Sequence, residues 1–240
     1  MFMGLVGSEM CIRDSVSQDL HANGANVTMV QRSPTMIVNL EPSAQLPYAL
    51  YQEGPSTDDC DLIAISSPLS VLKKTHQILT KQSKKLDSKL LKKLEKIGFV
   101  LDYGEDNTGW QFKYLTRGGG YYFNVGASNL VADKKIKLIQ FSDINEFLSD
   151  GIIHSSKKLK YDSFVFATGY KGQEYMVKKF FGNEVANKVG RIWNFNSKKQ
   201  ELNNMFVKTN QQGLWFIAGS LAQCRIFSKY LSFQISKEIK

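Results

Sequence analysis

Apolar runs broken by small or polar residues predict buried strands along much of this chain, with one-sided helices between them. Phe164-Val165-Phe166 places three apolar residues in succession, as suits a parallel strand covered on both faces, and stops on Ala167-Thr168-Gly169. Small residues there let a ligand or another backbone approach the strand's carboxyl end, where open α/β sheets bind ligands; an ordinary turn after a core strand reads the same way. Ala25 to Gln31 is a second short strand, rich in β-branched residues, preceded by the tail of a helix from Val16 to Asn23 with Gly24 as its C-terminal glycine. Ile136 to Phe141 alternates as a strand, and Ile152 to Ser163 reads as a hairpin leading into Phe164. Near the end, Gly213 to Ser220 reads as a buried strand ending in small residues. From about Gln223 a helix follows with Ile226, Phe227, Tyr230, Leu231 and Ile235 inward.

The middle of the chain is helical by pattern. Residues 35 to 66, carrying Pro42, Pro47, Pro55 and the tract Ser56-Thr57-Asp58-Asp59, read as a surface excursion. Ser67 then caps a helix with Pro68 at its first position, and Leu69, Leu72, His76 and Leu79 share one face. Asp87 to Ile97 is a second helix with Leu90, Leu91, Leu94 and Ile97 inward and lysines outward, ended by Gly98. The pattern turns to strands at Phe99 to Gly104, with a polar turn from Glu105 to Trp110. Arg117-Gly118-Gly119-Gly120 before Tyr121 reads either as a phosphate-holding loop or as a flexible loop before aromatics. A helix is expected near Glu174 to Phe181, then an irregular tract around Trp193 and a polar run from Asn196 to Asn204.

Composition narrows the class. At 240 residues, 42% hydrophobic and 12% aromatic, the chain is that of a globular protein rather than a disordered one. No run reaches the ~18 apolar residues of a membrane span, and the start lacks the basic region of a signal peptide. Cys11, Cys60 and Cys224 are far apart, which argues against a disulfide framework and a zinc site. A soluble cytoplasmic protein with no membrane partner is expected. The three histidines, His21, His76 and His154, form neither a triad nor a metal spacing, so no metal ligand is assigned and no catalytic acid or base is named. The net charge of +9 is spread over short lysine pairs such as Lys73-Lys74 and Lys92-Lys93. Such pairs fit solvated helix faces better than a nucleic-acid patch, and their field would attract phosphorylated ligands.

Helix, Gly24 turn and strand ending in Gln31-Arg32-Ser33-Pro34 make the second half of a βαβ nucleotide-binding unit. An acid at that strand end would hold the ribose of NAD. Gln31 and Arg32 stand there instead, which suits the 2′-phosphate of NADP through a charge-assisted fork, unless Arg32 is simply a surface arginine. Ala167-Thr168-Gly169-Tyr170 resembles the motif that ends the NADPH-binding domain of flavin-dependent monooxygenases and related two-dinucleotide flavoproteins. The turn at Gly219-Ser220 with its helix resembles the unit that closes their FAD domain.

The resemblance implies an α/β flavoprotein of the two-dinucleotide-binding, Rossmann-like class, incomplete at its N-terminus. It implies an NADPH-binding domain over 16–170, with a helical insertion at about 67–97, and the C-terminal part of an FAD-binding domain over 171–240. The cofactors implied are FAD and NADPH, bound by Gln31, Arg32, Ser33, Ala167, Thr168, Gly169 and Tyr170 on one side. On the other side the matching positions are Gly219, Ser220, Gln223, Arg225 and Ser228. Many such flavoproteins carry Gly-Asp at this last turn, so Gly219-Ser220 departs from them. The implied reaction takes hydride from NADPH to flavin and passes one oxygen atom of O2 to a small organic substrate. A plain NADPH-linked flavin oxidoreductase is the rival among enzymes, and a basic nucleic-acid-binding module the rival outside them.

The glycine fingerprint that should open the unit is absent. Gly4 and Gly7 are followed instead by Ser8-Glu9-Met10-Cys11-Ile12-Arg13-Asp14-Ser15, which resembles translated sequencing adapter. Residues 1–15 are therefore expected to be non-native, with authentic sequence resuming near Val16, and the chain to be the C-terminal part of a longer enzyme, inactive alone.

Overall fold

The computed structural model describes residues 2–7, 10–196 and 198–239. In chain order the elements are β1 (Phe2–Gly7), α1 (Met10–Ala22), β2 (Asn26–Gln31), β3 (Met36–Asn39), α2 (Ala49–Glu53), α3 (Thr57–Ser66), α4 (Leu69–Leu86) and α5 (Ser88–Lys96). There follow α6 (Gly109–Arg117), β4 (Tyr121–Asn124), α7 (Ala127–Ala132), β5 (Lys137–Gln140), β6 (Ile144–Leu148), β7 (Gly151–His154), β8 (Lys157–Lys160) and β9 (Ser163–Ala167). Two long helices, α8 (Gln173–Val189) and α9 (Leu221–Ile239), complete the chain. Among the described residues no helix is long and apolar enough to cross a membrane.

Two compact units result. The first comprises Met1–Ser56, Ser67–Tyr114 and Gly118–Gly169; the second comprises Thr57–Ser66, Leu115–Arg117 and Tyr170–Lys240. The second unit thus takes in two short segments from within the stretch 16–170 that was expected to be one domain.

A four-stranded sheet in the order β5-β2-β1-β9 organises the first unit, and every pair in it is parallel. Residues 2–7 are therefore one of its two inner strands, in register with β2 from Phe2 opposite Asn26 to Gly7 opposite Gln31. Val27, Met29 and Ile136 pack with Leu90, Leu91 and Leu94 of α5 and with Val131 of α7 to form the main core. The helix ends follow the sequence signals. After α1, Ala25 N–H donates to Leu20 O and Gly24 N–H to His21 O; after α5, Phe99 N–H donates to Leu94 O and Gly98 N–H to Glu95 O. Both are Schellman caps with glycine at C′. Helix α4 starts at Leu69 with Pro68 as its N-cap, one place earlier on the helix than expected.

Several expectations are corrected. Residues 36–39 are no surface excursion: Met36, Ile37 and Val38 are buried in β3, which pairs in parallel with β4. Phe99 to Gly104 forms no strand; only Leu101 makes an isolated bridge, to Thr35. Gly109–Arg117 is a helix rather than the continuation of a polar turn, with Trp110 and Phe112 buried. The expected hairpin has a third strand, β6-β7-β8, all antiparallel. Strand β9 pairs with β1 alone among the described residues, and Phe166 is 59% exposed, so its two faces are not both covered.

In the second unit, Val177, Val189, Ile192, Met205, Phe206 and Leu231 form a separate core with Leu214, Trp215 and Phe227 against it. The expected strand at Gly213 to Ser220 is not formed: a strand needs a paired neighbour, and beyond its local turns this stretch is held by the backbone bond from Phe206 N–H to Phe216 O. Tyr230, expected inward, is 43% exposed.

Candidate functional site

Parallel strands share one carboxyl edge, and here it gathers the ends of β1, β2, β5 and β9. The order in which strands are added reverses between β1 and β9, since β2 and β5 lie on one side of β1 and β9 on the other, all of them parallel. Gln31-Arg32-Ser33 leaves the edge from β2, Gln140 closes β5, and Thr168-Gly169 leaves from β9. The register sets Gly7 between Gln31 and Ala167.

The Gln31 side chain is buried and fully engaged. Its Nε2 donates to Val100 O at 2.8 Å and to Ser33 O at 3.2 Å. Its Oε1 accepts from Val100 N–H at 2.9 Å and from Gln140 Nε2 at 2.9 Å. Both donors and both lone pairs are used, so Gln31 offers a ligand nothing. Arg32 is exposed and has no hydrogen-bond or ion-pair partner among the described residues. Ser33 is half-buried, and its carbonyl also accepts from Thr35 Oγ1 at 3.1 Å.

At the β9 end Ala167 is buried, whereas Thr168, Gly169 and Tyr170 are exposed, Tyr170 at 86%. Gly169 has φ +85°, the left-handed region that a side chain strains, so the turn after β9 calls for glycine. The glycines of Arg117-Gly118-Gly119-Gly120 serve α6: Gly118 N–H caps it on Tyr114 O at 2.8 Å, and no helix starts after them until α7, beyond β4.

The second expected group lies in the second unit. Ser220 N–H donates to Gln223 Oε1 at 3.3 Å and Gln223 N–H to Ser220 Oγ at 3.2 Å, the reciprocal bonds of a capping box at the start of α9. The amides of Leu221 and Ala222 are the helix-start donors this box does not use. Arg225 forks onto Asp61 of α3 at 2.9 and 2.5 Å, and Ser228 Oγ bonds back to Arg225 O at 3.5 Å. Gly219, exposed at φ +109°, precedes the cap.

Other polar features were not read from the sequence. Asp87, buried between α4 and α5, accepts from Asn39 N–H at 3.0 Å, Asn39 Nδ2 at 2.7 Å and Ser43 Oγ at 2.7 Å. A cavity of about 330 Å³ beside it is lined by Asn39, Lys89, Lys93, Asn129 and Asp133. Lys113, a buried cation, pairs with Asp102. The usable signal was a polar residue at the end of an apolar run, which Gln140 and Asn124 share with Gln31.

His76 and Tyr103 are shifted strongly by their surroundings. Burial pushes His76 down to about 4, and its ring packs edge-on against Phe112, as a packed residue does. Burial first, then the charges of Glu95 and Asp87, push Tyr103 up to about 12. No cluster of His, Cys, Asp and Glu among the described residues could hold a metal ion.

One helix bears on the expected non-native start. In α1, Arg13 and Asp14 are 0% and 2% exposed while Ile12 is 45% exposed. From Val16 onward the phase is ordinary, with Val16 and Leu20 against the core. Arg13 Nε donates to Asp14 Oδ1 at 2.9 Å, yet both Arg13 Nη atoms and Asp14 Oδ2 have no hydrogen-bond partner among the described residues. Nη2 lies 2.8 Å from Asp14 Oδ1 without the alignment of a hydrogen bond.

No protein-family model matches the chain, and no curated protein matches it.

Proposed function

We propose that this chain binds NADPH along the carboxyl edge of its four-stranded parallel sheet, as the reductant site of a flavin-dependent monooxygenase. The observation that carries the reading is the strand order. Counted in chain order within that sheet, the strands run third, second, first, fourth, with the reversal between β1 and β9. That is the order of the first four strands of a doubly wound nucleotide-binding sheet, and ligands of such sheets lie outside the carboxyl ends at the reversal. Arg32 then serves the 2′-phosphate, and the turn at Thr168-Gly169 lets the dinucleotide pass close to the backbone.

The fit to the cofactors is unequal. An exposed arginine without a partner among the described residues suits a 2′-phosphate, to which it can present two parallel N–H groups. The pyrophosphate position does not fit, because a helix that should pack closely on β1 buries Arg13 and Asp14 there. We narrow the expected non-native stretch from residues 1–15 to Ser8–Ser15, because residues 2–7 pair as β1 within the sheet, and take Ser8–Ser15 as foreign sequence in place of the glycine turn, consistent with a helix whose inward face becomes apolar only at Val16. For FAD, the described residues offer one capped helix start at Ser220, which does not make a cradle, so FAD rests on the resemblance alone. Bound flavin would supply the reaction with O2; this chain's residues would hold and orient the nicotinamide donor.

Titration of the whole chain with NADPH, followed by nicotinamide fluorescence, tests the reading. Saturable binding that Arg32→Ala weakens by about tenfold or more is expected, on the order of one charge-assisted hydrogen bond. Absence of binding would refute it. NADPH oxidation in the presence of flavin without an oxygenated product would favour the oxidoreductase, and steeply salt-dependent nucleic-acid binding the basic module.

A further inference from the structure

Strand β2 ends on Gln31 and its neighbour β5 ends on Gln140, directly opposite in the register. The two amides continue the sheet beyond its last backbone pair. Gln140 Nε2 donates to Gln31 Oε1 at 2.9 Å and to Gly98 O at 2.8 Å. Gln31 in turn holds Val100 by a two-point bond, donor to carbonyl at 2.8 Å and acceptor from N–H at 2.9 Å, as a strand residue would. Val100 O also accepts from Thr35 N–H at 3.1 Å, and Asp102 N–H donates to Thr35 O at 3.2 Å. Segment 98–102 is therefore pinned to the end of the loop by the backbone bonds of Thr35, and to Ser33 within the loop Arg32-Ser33-Pro34 by the buried Gln31 amide.

We infer that Gln31 and Gln140 are positioning residues for recognition of a 2′-phosphorylated adenosine ribose: their amide ladder fixes the loop from which Arg32 projects. The inference rests on the proposed NADPH site and assigns its selectivity to residues that touch no ligand. An acid at position 31 would face the carbonyl oxygens of Val100 and Ser33, where an amide now donates to both. The usual ribose-holding carboxylate is thus excluded from this place by the segment packed on it, and selectivity falls to the next residue, Arg32.

Calorimetric titration of the full chain with adenosine 2′,5′-bisphosphate and with adenosine 5′-monophosphate tests this, because the two ligands share the 5′-phosphate and differ only in the 2′-phosphate. The unsubstituted chain should prefer the bisphosphate by at least tenfold, and Arg32→Ala should abolish the preference. Gln140→Leu removes one rung without touching Arg32, and should lower the preference several-fold while leaving monophosphate affinity unchanged. Gln31→Leu should do the same more strongly. A general loosening of the site weakens both ligands alike, so the ratio separates positioning from structural damage. If Arg32→Ala abolishes the preference but Gln140→Leu and Gln31→Leu keep it, the ladder's role is overturned and the NADPH site stands. If the unsubstituted chain binds neither nucleotide, or both equally, the NADPH site and the ladder's role fall together.

Discussion

Replacing the buried Arg13–Asp14 pair by apolar residues should stabilise this protein. The two side chains are nearly inaccessible and leave three polar atoms without hydrogen-bond partners. Each unsatisfied buried group costs about 1–3 kcal/mol, and exchanging a buried ion pair for packed apolar side chains gains up to about 1–4 kcal/mol. The variant Arg13→Leu/Asp14→Ala should therefore raise the melting temperature by about 2–4 °C per kcal/mol gained, as for a domain of this size. Asp14→Ala alone should do the reverse, by about 3–5 kcal/mol, because it strands the Arg13 guanidinium. Adjacent residues that share one interaction are not additive, so the double variant is the decisive one. Urea unfolding with a constant m-value measures all three. pH gives an independent check. Burial holds the Asp14 carboxyl above its ordinary 3.8, against the opposing pull of Arg13. The folded protein then prefers the neutral acid, so this contribution is fully present below the unfolded value and is lost as pH rises through the raised folded one. The stability of the parent relative to Asp14→Asn should fall with rising pH across that window. A double variant less stable than the parent, or a parent whose stability relative to Asp14→Asn rises with pH, would refute the reasoning.

Leu94, fully buried in the main core, should cost about 2–5 kcal/mol as Leu94→Ala, read by urea unfolding of the first unit. Ser220→Ala opens the capping box of α9 and should cost about 0.5–2 kcal/mol, with faster amide exchange in the first turn of that helix. Gly151→Ala should disrupt the three-stranded sheet, because an added Cβ would stand 2.0 Å from Leu159 O; loss of amide protection at β7 and β8, with β2 still protected, is the expected pattern.

What the sequence made legible was local. The Schellman caps at Gly24 and Gly98, the leucine face of α5 and the alternation of β5 each lie within a few residues, and each formed. What it hid was pairing. Met36-Ile37-Val38 looked like part of a proline-broken excursion because its partner β4 is 85 residues away, as the Asn39–Asn124 bond records. Leu214 to Ala218 had the composition of a buried strand and found no strand beside it, since an apolar run specifies burial but not a neighbour.

The candidate site divides along the same line. Gln31 was read as a ligand group because the residue type and its place at a strand end are visible, whereas the backbone that consumes its amide is 69 residues away. Ser220 and Gln223 were read as a cofactor turn, although Ser-x-x-Gln before an apolar helix is also the spacing of a capping box, and the structure makes those bonds. Arg225 likewise finds Asp61, 164 residues away. Arg32 differs from all of these. It has the chemistry a phosphate needs, it stands at the edge where parallel sheets bind ligands, and no described residue occupies it. A polar side chain at a strand end is a ligand candidate only after the fold has had its claim on it, and among the described residues the fold makes no such claim on Arg32.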